Sequence, residues 1–371
     1  MSKSSLDPSQ SVPLYLQCAN ALRKAIRGGK YRPGDFLPPE RDLSRQFGVT
    51  RITLRKALAG LAAEGLVENV PGAGNRVAAG QPRETSSRII TCAMLRQAGL
   101  PMLSPYYAEL FEGIQDEAAA RRYDVVFAAA SLDSLWLNNR PRPSPRIPGG
   151  IRTLGALLVG GLTDELALAY RKKGLPVVLV DKPSPGPEFP SIIPDNAQGA
   201  YLVTRHLLEL GHRRLAFLGA PPDPVSQARF SGFRKALDEA GVAFDAKDHI
   251  DAGYTSDLAS SALKRYLARH ARTLPTAIVA INDEAAIGAL QALRAARLRV
   301  PDDVSVTGFD DIPWALHSVP PLTTMKVPRR EMGRVAAQTL IAQIESPHTT
   351  PIRLVLQTDL IVRASTAAPK R

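Results

Sequence analysis

Basic side chains recur on one face of a short segment near the amino end of the chain. A predicted helix over 39–46 is followed by Gly48 as a turn residue, and a second predicted helix opens at Thr50. Arg51 and Arg55 lie four residues apart on that second helix, so they share one face of it. Guanidinium groups can grip the O6 and N7 atoms of guanine, and cations pair with phosphates. The spacing therefore predicts a helix-turn-helix that reads double-stranded DNA.

A second group of polar residues stands at the ends of predicted strands in the rest of the chain. Asp181, Asn282 and Asp310 each follow an apolar run of strand length. Carboxylates and amides exchange hydrogen bonds with hydroxyl groups, and aromatic rings cover apolar C–H surface. Ligands bind at the carboxyl ends of parallel strands, so these positions predict a polyol site. Further candidates near helix starts and strand ends are Tyr106, Tyr107, Arg229 and Tyr254.

Three helices and a hairpin are predicted at the amino end. An apolar stripe with helical spacing indicates the first helix, and Gly65 stops the third. Pro71–Gly74 has the composition of a hairpin turn between two short strands. The pattern predicts a winged helix, with helices over 13–30, 39–46 and 50–64 and strands over 66–67 and 76–78.

Beyond residue 88, apolar runs alternate with amphipathic segments. This repetition predicts parallel sheets covered by helices on both faces, which is an α/β fold. About 280 residues are many for one such sheet, so two lobes are expected. The predicted strands are 89–95, 124–130, 154–160, 176–181, 214–218, 276–281 and 303–308. The predicted helices are 106–122, 163–173, 196–210, 227–240, 257–269 and 284–297.

Composition marks the boundaries between these parts. Residues 79–88 have no periodicity and indicate a linker, and four prolines within 138–150 predict an exposed loop. The predicted organisation is a disordered tail over 1–10, a DNA-binding domain over 11–79, a linker over 80–88 and an effector-binding and dimerisation domain over 89–371. We expect lobe one over about 89–193 and 328–350, and lobe two over about 194–326 and 351–371.

Charge and composition narrow the class of protein. The net charge is +12, and residues 1–80 hold 12 Lys and Arg against 6 Asp and Glu, which favours a polyanionic partner there. Cys18 and Cys92 are expected to be reduced and buried. Neither a signal peptide nor a membrane span is recognisable, so we expect a cytoplasmic protein. Metal-ligand spacings and catalytic motifs are missing from the sequence, so we expect no metal, no cofactor and no enzymatic activity.

The amino-terminal residues resemble the GntR-type winged helix over about 11–79. The matching motifs are Pro13-Leu-Tyr-Leu-Gln, Gly29-Lys-Tyr-Arg-Pro-Gly-Asp-Phe-Leu-Pro-Pro-Glu-Arg-Asp-Leu and Phe47-Gly-Val-Thr-Arg-Ile-Thr-Leu-Arg-Lys-Ala-Leu. Pro39 stands where that family usually has a serine N-cap, and Asn75–Arg76 departs from its usual wing. Ile52 continues the basic face of the second helix and joins the candidates. The resemblance implies that DNA is contacted by Arg41, Thr50, Arg51, Thr53, Arg55 and Gly72.

The remainder, about 88–363, is similar to the effector domain of LacI/GalR-type repressors. The motifs include Asp195-Asn, Leu210-Gly-His-Arg-Arg-Leu-Ala-Phe-Leu-Gly, Arg229-Phe-Ser-Gly-Phe, Pro275-Thr-Ala-Ile-Val-Ala-Ile-Asn-Asp-Glu, Val300-Pro-Asp-Asp-Val-Ser-Val-Thr-Gly-Phe-Asp-Asp and Pro320-Pro-Leu-Thr-Thr. The resemblance implies a two-lobed fold like that of periplasmic binding proteins, in which the seven candidate residues of the polyol site match the ligand shell. The combined build resembles that of arabinose-responsive repressors.

Structural roles compete with several of the DNA assignments. Arg51 and Arg55 could form a merely solvated basic face. Arg41 could pair with its neighbours Glu40 or Asp42 instead of DNA. The whole winged-helix pattern around these residues favours the DNA interpretation.

The ligand assignments also have rivals. The Tyr106–Tyr107 pair could pack in a core, and Asp283 and Asp311 are expected to cap helices or make structural hydrogen bonds. By position, Arg96 and Arg329 could face the cleft. If both did, an acidic or phosphorylated ligand would gain support over a neutral one.

These features predict a ligand-responsive transcription factor, which we interpret as a repressor. A homodimer would place two recognition helices about one helical turn apart on a palindromic operator. A sugar that closes the lobes would alter that spacing through the linker. Alternatives are the same regulator with an acidic or phosphorylated effector, and a cytoplasmic sugar-binding protein. An enzyme fused to a winged helix is a third class, but no lysine lies in a recognisable cofactor motif.

Overall fold

The computed structural model places the chain in two compact units, Met1–Ser87 and Arg88–Arg371. The described residues are 13–63, 65–78, 88–95, 104–130, 136–137, 140–141, 153–161, 164–184, 186, 188–220, 223–270, 273–346 and 350–370. The predicted tail 1–10, linker residues 80–87, Arg96 and most of 138–150 lie outside them. Among the described helices, none has the length and apolarity that crossing a bilayer requires.

The first unit is a winged helix. It contains α1 (Leu14–Arg27), α2 (Glu40–Phe47), α3 (Arg51–Ala63) and an antiparallel hairpin of β1 (Val67–Val70) and β2 (Gly74–Val77). Leu54, Leu58 and Leu61 recur at helical spacing, so one face of α3 packs into the small core against Leu22 and Leu43. The strands reach further toward the turn than the predicted 66–67 and 76–78, because main-chain pairing continues through polar residues.

The first lobe of the second unit is built on a six-stranded parallel sheet. Its order is β15 (Arg353–Leu356), β9 (Ser191–Pro194), β8 (Val177–Val180), β7 (Gly155–Val159), β3 (Ile89–Leu95) and β4 (Asp124–Ala130). Helices α4 (Pro105–Ala120) and α11 (Arg329–Glu345) cover one face, and α5 (Asp164–Lys172) covers the other. Leu157 therefore packs toward α4 and α11, whereas its neighbour Leu158 packs toward α5.

Helices α4 and α11 approach each other at their backbones. A Cβ atom on Gly113 would lie 1.9 Å from the carbonyl oxygen of Arg330, and one on Gly333 would lie 2.0 Å from that of Leu110. Only glycine permits this approach, so the two helices form a closely packed pair. The predicted set of helices lacks α11, because much of its buried face consists of glycine and alanine and gives a weak apolar signal.

The second lobe carries a four-stranded parallel sheet in the order β11 (His249–Asp251), β10 (Leu215–Gly219), β12 (Ala277–Ala280) and β13 (Ser305–Thr307). Its long helices are α6 (Asn196–Glu209), α7 (Pro224–Glu239), α8 (Ser256–Arg269) and α9 (Asp283–Ala295), and a short α10 covers Pro313–His317. The remaining pairs are β14 (Thr324–Lys326) with β16 (Asp359–Ile361) and β5 (Trp136–Leu137) with β6 (Arg140–Pro141). The α/β class predicted from the sequence is confirmed.

Within the described residues the chain passes between the lobes after β9, after β14 and after β15. The last crossing corrects the predicted boundary, since β15 pairs in parallel with β9 and belongs to the first lobe. Assigning all of 351–371 to the second lobe is therefore wrong for 353–356. This edge strand is largely exposed and has no alternation of apolar residues, so only its main-chain hydrogen bonds decide its place.

Candidate functional sites

The turn between α2 and α3 sets the direction of the predicted recognition helix. Gly48 ends α2 in a left-handed conformation with φ of 65°, which glycine adopts at little cost. The Thr50 hydroxyl accepts a hydrogen bond from the backbone N–H of Thr53 at 3.2 Å, and it lies 2.9 Å from the Thr53 hydroxyl. Thr50 therefore caps α3, whose amino-terminal turn is solvent-exposed at Arg51 and Ile52.

The basic face of α3 is exposed to solvent. Arg51 is exposed, Ile52 is 81% exposed, and the side chain of Arg55 is 67% exposed. Leu54 and Leu58 on the opposite face are buried and hold the helix in place. This face can present two guanidinium groups and an aliphatic side chain to a groove of DNA.

An ion pair fixes one of these cations. Arg55 Nε donates to Glu40 Oε2 at 2.8 Å, across from α3 to the start of α2. Glu40 is therefore engaged by Arg55 and not by Arg41, which is exposed and has no ion pair to any described residue. Sequence reasoning missed this role of Glu40, because the two partners are fifteen positions apart and meet only through the turn.

The wing offers a close backbone approach. Gly72 lies in the β1–β2 turn with φ of +78°, and no atom lies within 4 Å of where its Cβ would be. Arg76 pairs with Glu68 across the hairpin at 2.7 Å and lies over the ring of Phe36. The departure from the usual wing sequence thus places Arg76 in a structural contact, whereas Gly72 is open to a partner.

A cavity of about 560 Å³ lies at the carboxyl ends of the strands of both lobes. The structure brings together all of the residues predicted for the polyol site in its lining: Tyr106, Tyr107, Asp181, Arg229, Tyr254, Asn282 and Asp310. The first three come from the first lobe and the other four from the second, so the cavity is shared between them. Its size is in the range of small-molecule sites.

Arg229 and Asp310 form the buried floor of this cavity. Arg229 is 4% exposed and Asp310 is 6% exposed, and Arg229 Nη2 donates to Asp310 Oδ1 at 3.2 Å. Arg229 also donates to Asn196 Oδ1 and to the carbonyl oxygen of Ile281, and its guanidinium lies 3.7 Å from the ring centre of Phe309. Burial raises the pKa of Asp310 to about 6, although the nearby Arg229 opposes that rise.

Asp181 faces the same space from the first lobe. It directly follows β8 in a left-handed conformation with φ of 56°, and burial raises its pKa to about 7. The Tyr106 hydroxyl faces Asp181 and opposes the rise in its pKa, and neither that hydroxyl nor Asp181 Oδ1 has a hydrogen-bond partner of normal geometry among the described residues. Buried polar atoms are seldom left without partners, so both are suited to bind hydroxyl groups of a ligand.

Asn282 and Tyr254 form a connected wall. Asn282 Oδ1 caps α9 by accepting from the backbone N–H of Ala285 at 2.8 Å, and its Nδ2 donates to the carbonyl oxygen of Tyr254 at 3.1 Å. The Tyr254 hydroxyl donates to Asp223, which itself caps α7. Asn282 is thus held by the protein and has one remaining amide N–H for a ligand.

The cavity lining is acidic. Lys182 and Arg229 are its cations, and its carboxylates are Asp164, Glu165, Asp181, Asp223, Glu284 and Asp310. Sequence reasoning missed Asp223 and Glu284. Asp223 stands before a proline at a helix start, which is the signal of an N-cap that could have drawn attention to it.

The other acidic and basic candidates have structural roles. Asp283 is buried and accepts hydrogen bonds from the Ile312 N–H and the Thr324 hydroxyl. Asp311 pairs with Arg363 at 2.6 Å. Arg329 is buried beside the cavity but is absent from its lining.

Comparisons with known proteins assign both units. The model for bacterial regulatory proteins of the gntR family matches residues 14–77, and the model for a periplasmic binding protein-like domain matches residues 204–366. An arabinose metabolism transcriptional repressor of Geobacillus stearothermophilus is 29% identical over 371 residues, covering 96% of this chain and 98% of its own. The HTH-type transcriptional repressor PurR of Photobacterium profundum is 30% identical over 288 residues, which cover 75% of this chain and 84% of its own.

Solved structures show the same fold. The complex of the transcriptional regulator CelR with cellobiose has a TM-score of 0.66 and 26% identity, covering 89% of this chain and 100% of its own. A LacI family transcriptional regulator from Enterococcus faecium with bound ribose has a TM-score of 0.64 and 26% identity, and the match covers 76% of this chain and 100% of its own.

Arg51→Ala should weaken binding to a specific DNA sequence by about tenfold or more, because a bidentate contact to guanine contributes about 1–3 kcal/mol. The helix should stay folded, since the Arg51 side chain is exposed. Fluorescence anisotropy with a selected duplex measures the change. Arg205→Ala, which removes an exposed ion pair with Glu209 on α6, is the control. Unchanged affinity of Arg51→Ala would refute the assignment.

Asp181→Asn should stabilise the ligand-free protein at pH 8. The folded protein holds the Asp181 proton with a pKa of about 7 against an ordinary 3.8. The stability linked to this proton is full below about pH 4 and is lost as the pH rises through 7. The asparagine avoids that loss, so the melting temperature should rise more at pH 8 than at pH 5. The exposed Asp116→Asn is the control, and equal shifts at both pH values would contradict the expectation.

Proposed function

Because this chain belongs to the bacterial transcriptional regulators that join a GntR-type DNA-binding domain to a LacI-type ligand-binding domain, we propose that it is a repressor controlled by a sugar bound between its two lobes. The observation that carries this proposal is the cavity floor, where the buried Arg229 and Asp310 share one cavity with Asp181, whose Oδ1 makes no hydrogen bond of normal geometry to a described residue. Donors and acceptors on both sides suit a molecule that carries many hydroxyl groups.

Aromatic rings complete the site for a sugar. Tyr106 and Tyr107 meet edge to face, with ring centres 5.0 Å apart, and Tyr254 contributes a third ring to the lining. Such rings cover the C–H surface of a sugar while the polar groups bind its hydroxyls. The relatives and solved structures that bear the names of arabinose, cellobiose and ribose support the same class of ligand.

The charge of the cavity favours a neutral effector over an acidic or phosphorylated one. Six carboxyl groups and two cations line it, and the carboxylates outnumber the cations even when Asp181 keeps its proton, so an anion would meet net repulsion. The case for an anionic ligand required Arg96 and Arg329 to face the cleft. Arg329 donates its hydrogen bonds elsewhere, and Arg96 lies outside the described residues.

On the DNA side, we propose that Arg41, Thr50, Arg51, Ile52, Thr53, Arg55 and Gly72 contact the operator. The exposed face of α3 and the open wing glycine support this set. A homodimer acting in the cytoplasm would bind a palindrome with half-sites about one helical turn apart. Effector control requires that the sugar bind the DNA-competent conformation and its alternative with different affinities.

Selection of duplexes from a randomised library with the full-length protein should yield a palindromic sequence. Calorimetry should then detect binding of at least one neutral sugar among arabinose, ribose and cellobiose, and no binding of glucose 6-phosphate. The bound sugar should change operator affinity about fivefold or more. If no DNA sequence is selected, the proposal that this protein is a DNA-binding regulator is rejected. Sugar binding that leaves operator affinity unchanged would favour a pure sugar-binding protein. Binding of the phosphate alone would establish the anionic alternative.

Asp310→Ala should abolish the response to that sugar while operator affinity in its absence is kept. The change removes the acceptor on the cavity floor and leaves Arg229 buried without its carboxylate. Operator titrations with and without the sugar measure the response. Asp257→Ala, an exposed aspartate on α8 of the same lobe, should respond like the wild type. A normal response of the Asp310 variant would exclude Asp310 from the ligand site.

A further inference from the structure

We propose that Arg329 is a positioning residue that fixes the ligand-facing Asp310 of the second lobe to helix α4 of the first. This inference rests on the proposed function, since it concerns the regulation of the same cavity. Arg329 does not line the cavity itself, so any effect that it has on the ligand must pass through its partners.

The guanidinium of Arg329 holds both lobes at once. Nη1 donates to the carbonyl oxygen of Asp310, and Nη2 donates to that of Asp311 at 3.0 Å. The same group grips Glu109 of α4, with Nη2 to Oε1 at 2.8 Å and Nε to Oε2 at 3.3 Å. Arg329 is 3% exposed, so these bonds form in a place that water hardly reaches. Charge-assisted, bidentate bonds of this kind are among the stronger ones in proteins.

The segment that Arg329 holds has an uncommon backbone conformation. Asp310 has φ of +117° and Asp311 has φ of +55°, both outside the region that residues other than glycine usually adopt. Such a conformation persists only when its surroundings determine it. The two carbonyl acceptors of Arg329 belong to these two residues, so it is one of the contacts that enforce the conformation and, with it, the direction of the Asp310 side chain.

Asp310 is consequently linked to the hinge on two sides. Its carboxylate accepts from Arg229, which also donates to Asn196 at the first crossing between the lobes. Its carbonyl accepts from Arg329, at the second crossing, where α11 begins. A ligand that displaces or strengthens the Arg229–Asp310 contact therefore acts directly on two of the crossing points.

The first-lobe end of this linkage is rigid. Glu109 lies on α4 three residues after Tyr106 and two after Tyr107 of the cavity lining, and close backbone contacts at Gly113 and Gly333 pack α4 against α11. Movement of Asp310 relative to Glu109 is then movement of one lobe relative to the other. Arg329 makes that movement dependent on the contact between Asp310 and the ligand.

The chemistry requires arginine. Lysine would keep the positive charge but presents three donors on one nitrogen, so it cannot serve a carboxylate and two carbonyl oxygens from a planar fork. Arg329→Lys therefore separates positioning from charge. The adjacent Arg330→Gln is the matched control, because Arg330 is exposed and pairs at the surface with Asp116 at 2.6 Å.

The first arm of the test uses the ligand-free, full-length protein labelled with ¹³C at the aspartate Cγ, with the Asp310 signal assigned from Asp310→Asn. The charged or titratable neighbours of Asp310 are Arg229, Arg329, Asp181, Asp283, Glu284, Tyr106 and Tyr107. In Arg329→Lys the carboxylate should turn from Arg229, so its titration midpoint should rise above the wild-type value, whereas Arg330→Gln leaves it unchanged. A wild-type midpoint in Arg329→Lys overturns the proposal.

The second arm measures regulation with arabinose, ribose or cellobiose, whichever the wild type binds. At saturating sugar, the ratio of operator affinities with and without sugar should fall toward one in Arg329→Lys and stay at the wild-type value in Arg330→Gln. A wild-type ratio in Arg329→Lys would remove the coupling role. Glu109→Gln changes only the partly exposed partner of Arg329, and it should also move the ratio of operator affinities toward one. It replaces Arg329→Lys in this test if the lysine variant fails to fold. If the wild type binds none of these sugars, the proposed function fails, while the titration of Asp310 still decides on positioning.

Discussion

The buried ion pair between Arg229 and Asp310 is the constraint on which the ligand-binding unit depends. A charge taken out of water is tolerated only if it is paired and its remaining donors and acceptors are satisfied. Arg229 meets that condition with Asn196, Ile281 and the face of Phe309. This ion pair forms only if three parts of the unit are correctly placed. They are the strand ends, the crossing after β9 and the unusual backbone after β13. Loss of the Asp310 carboxylate would leave the buried charge of Arg229 without its ion-pair partner.

The two units carry opposite charge at their candidate binding sites. The DNA-binding unit exposes Arg51 and Arg55 on a helix whose other face is a small leucine core. The cavity of the larger unit is lined mainly by carboxylates, although the chain as a whole carries a net charge of +12. Net charge thus describes the attraction to a polyanion, but it says nothing about the ligand. Burial adds to this contrast, because it raises the pKa of Asp181 and Asp310 toward neutrality and makes both able to donate or accept.

Close backbone packing connects the cavity contacts of the first lobe with its hinge contacts. Gly113 and Gly333 leave no room for a side chain between the backbones of α4 and α11. A cavity contact at Tyr106 and a hinge contact at Arg329 therefore belong to one closely packed helix pair. Packed interiors respond to small shifts by switching between arrangements, since they deform little. A ligand that contacts the cavity therefore acts on this packed helix pair as a whole.

The sequence by itself predicted the winged helix, the α/β class and the seven residues that the structure gathers in one cavity, because turn residues, apolar periodicity and strand-end polar residues are local signals. It could not place β15, which has no alternating pattern, or α11, in which three of the seven buried residues are glycine or alanine. It also could not show that Glu40 meets Arg55, or that Arg329 turns from the cavity to Glu109. Only the tertiary structure decided these points, because they depend on which distant backbone and side-chain groups a buried or edge residue meets when the chain is packed.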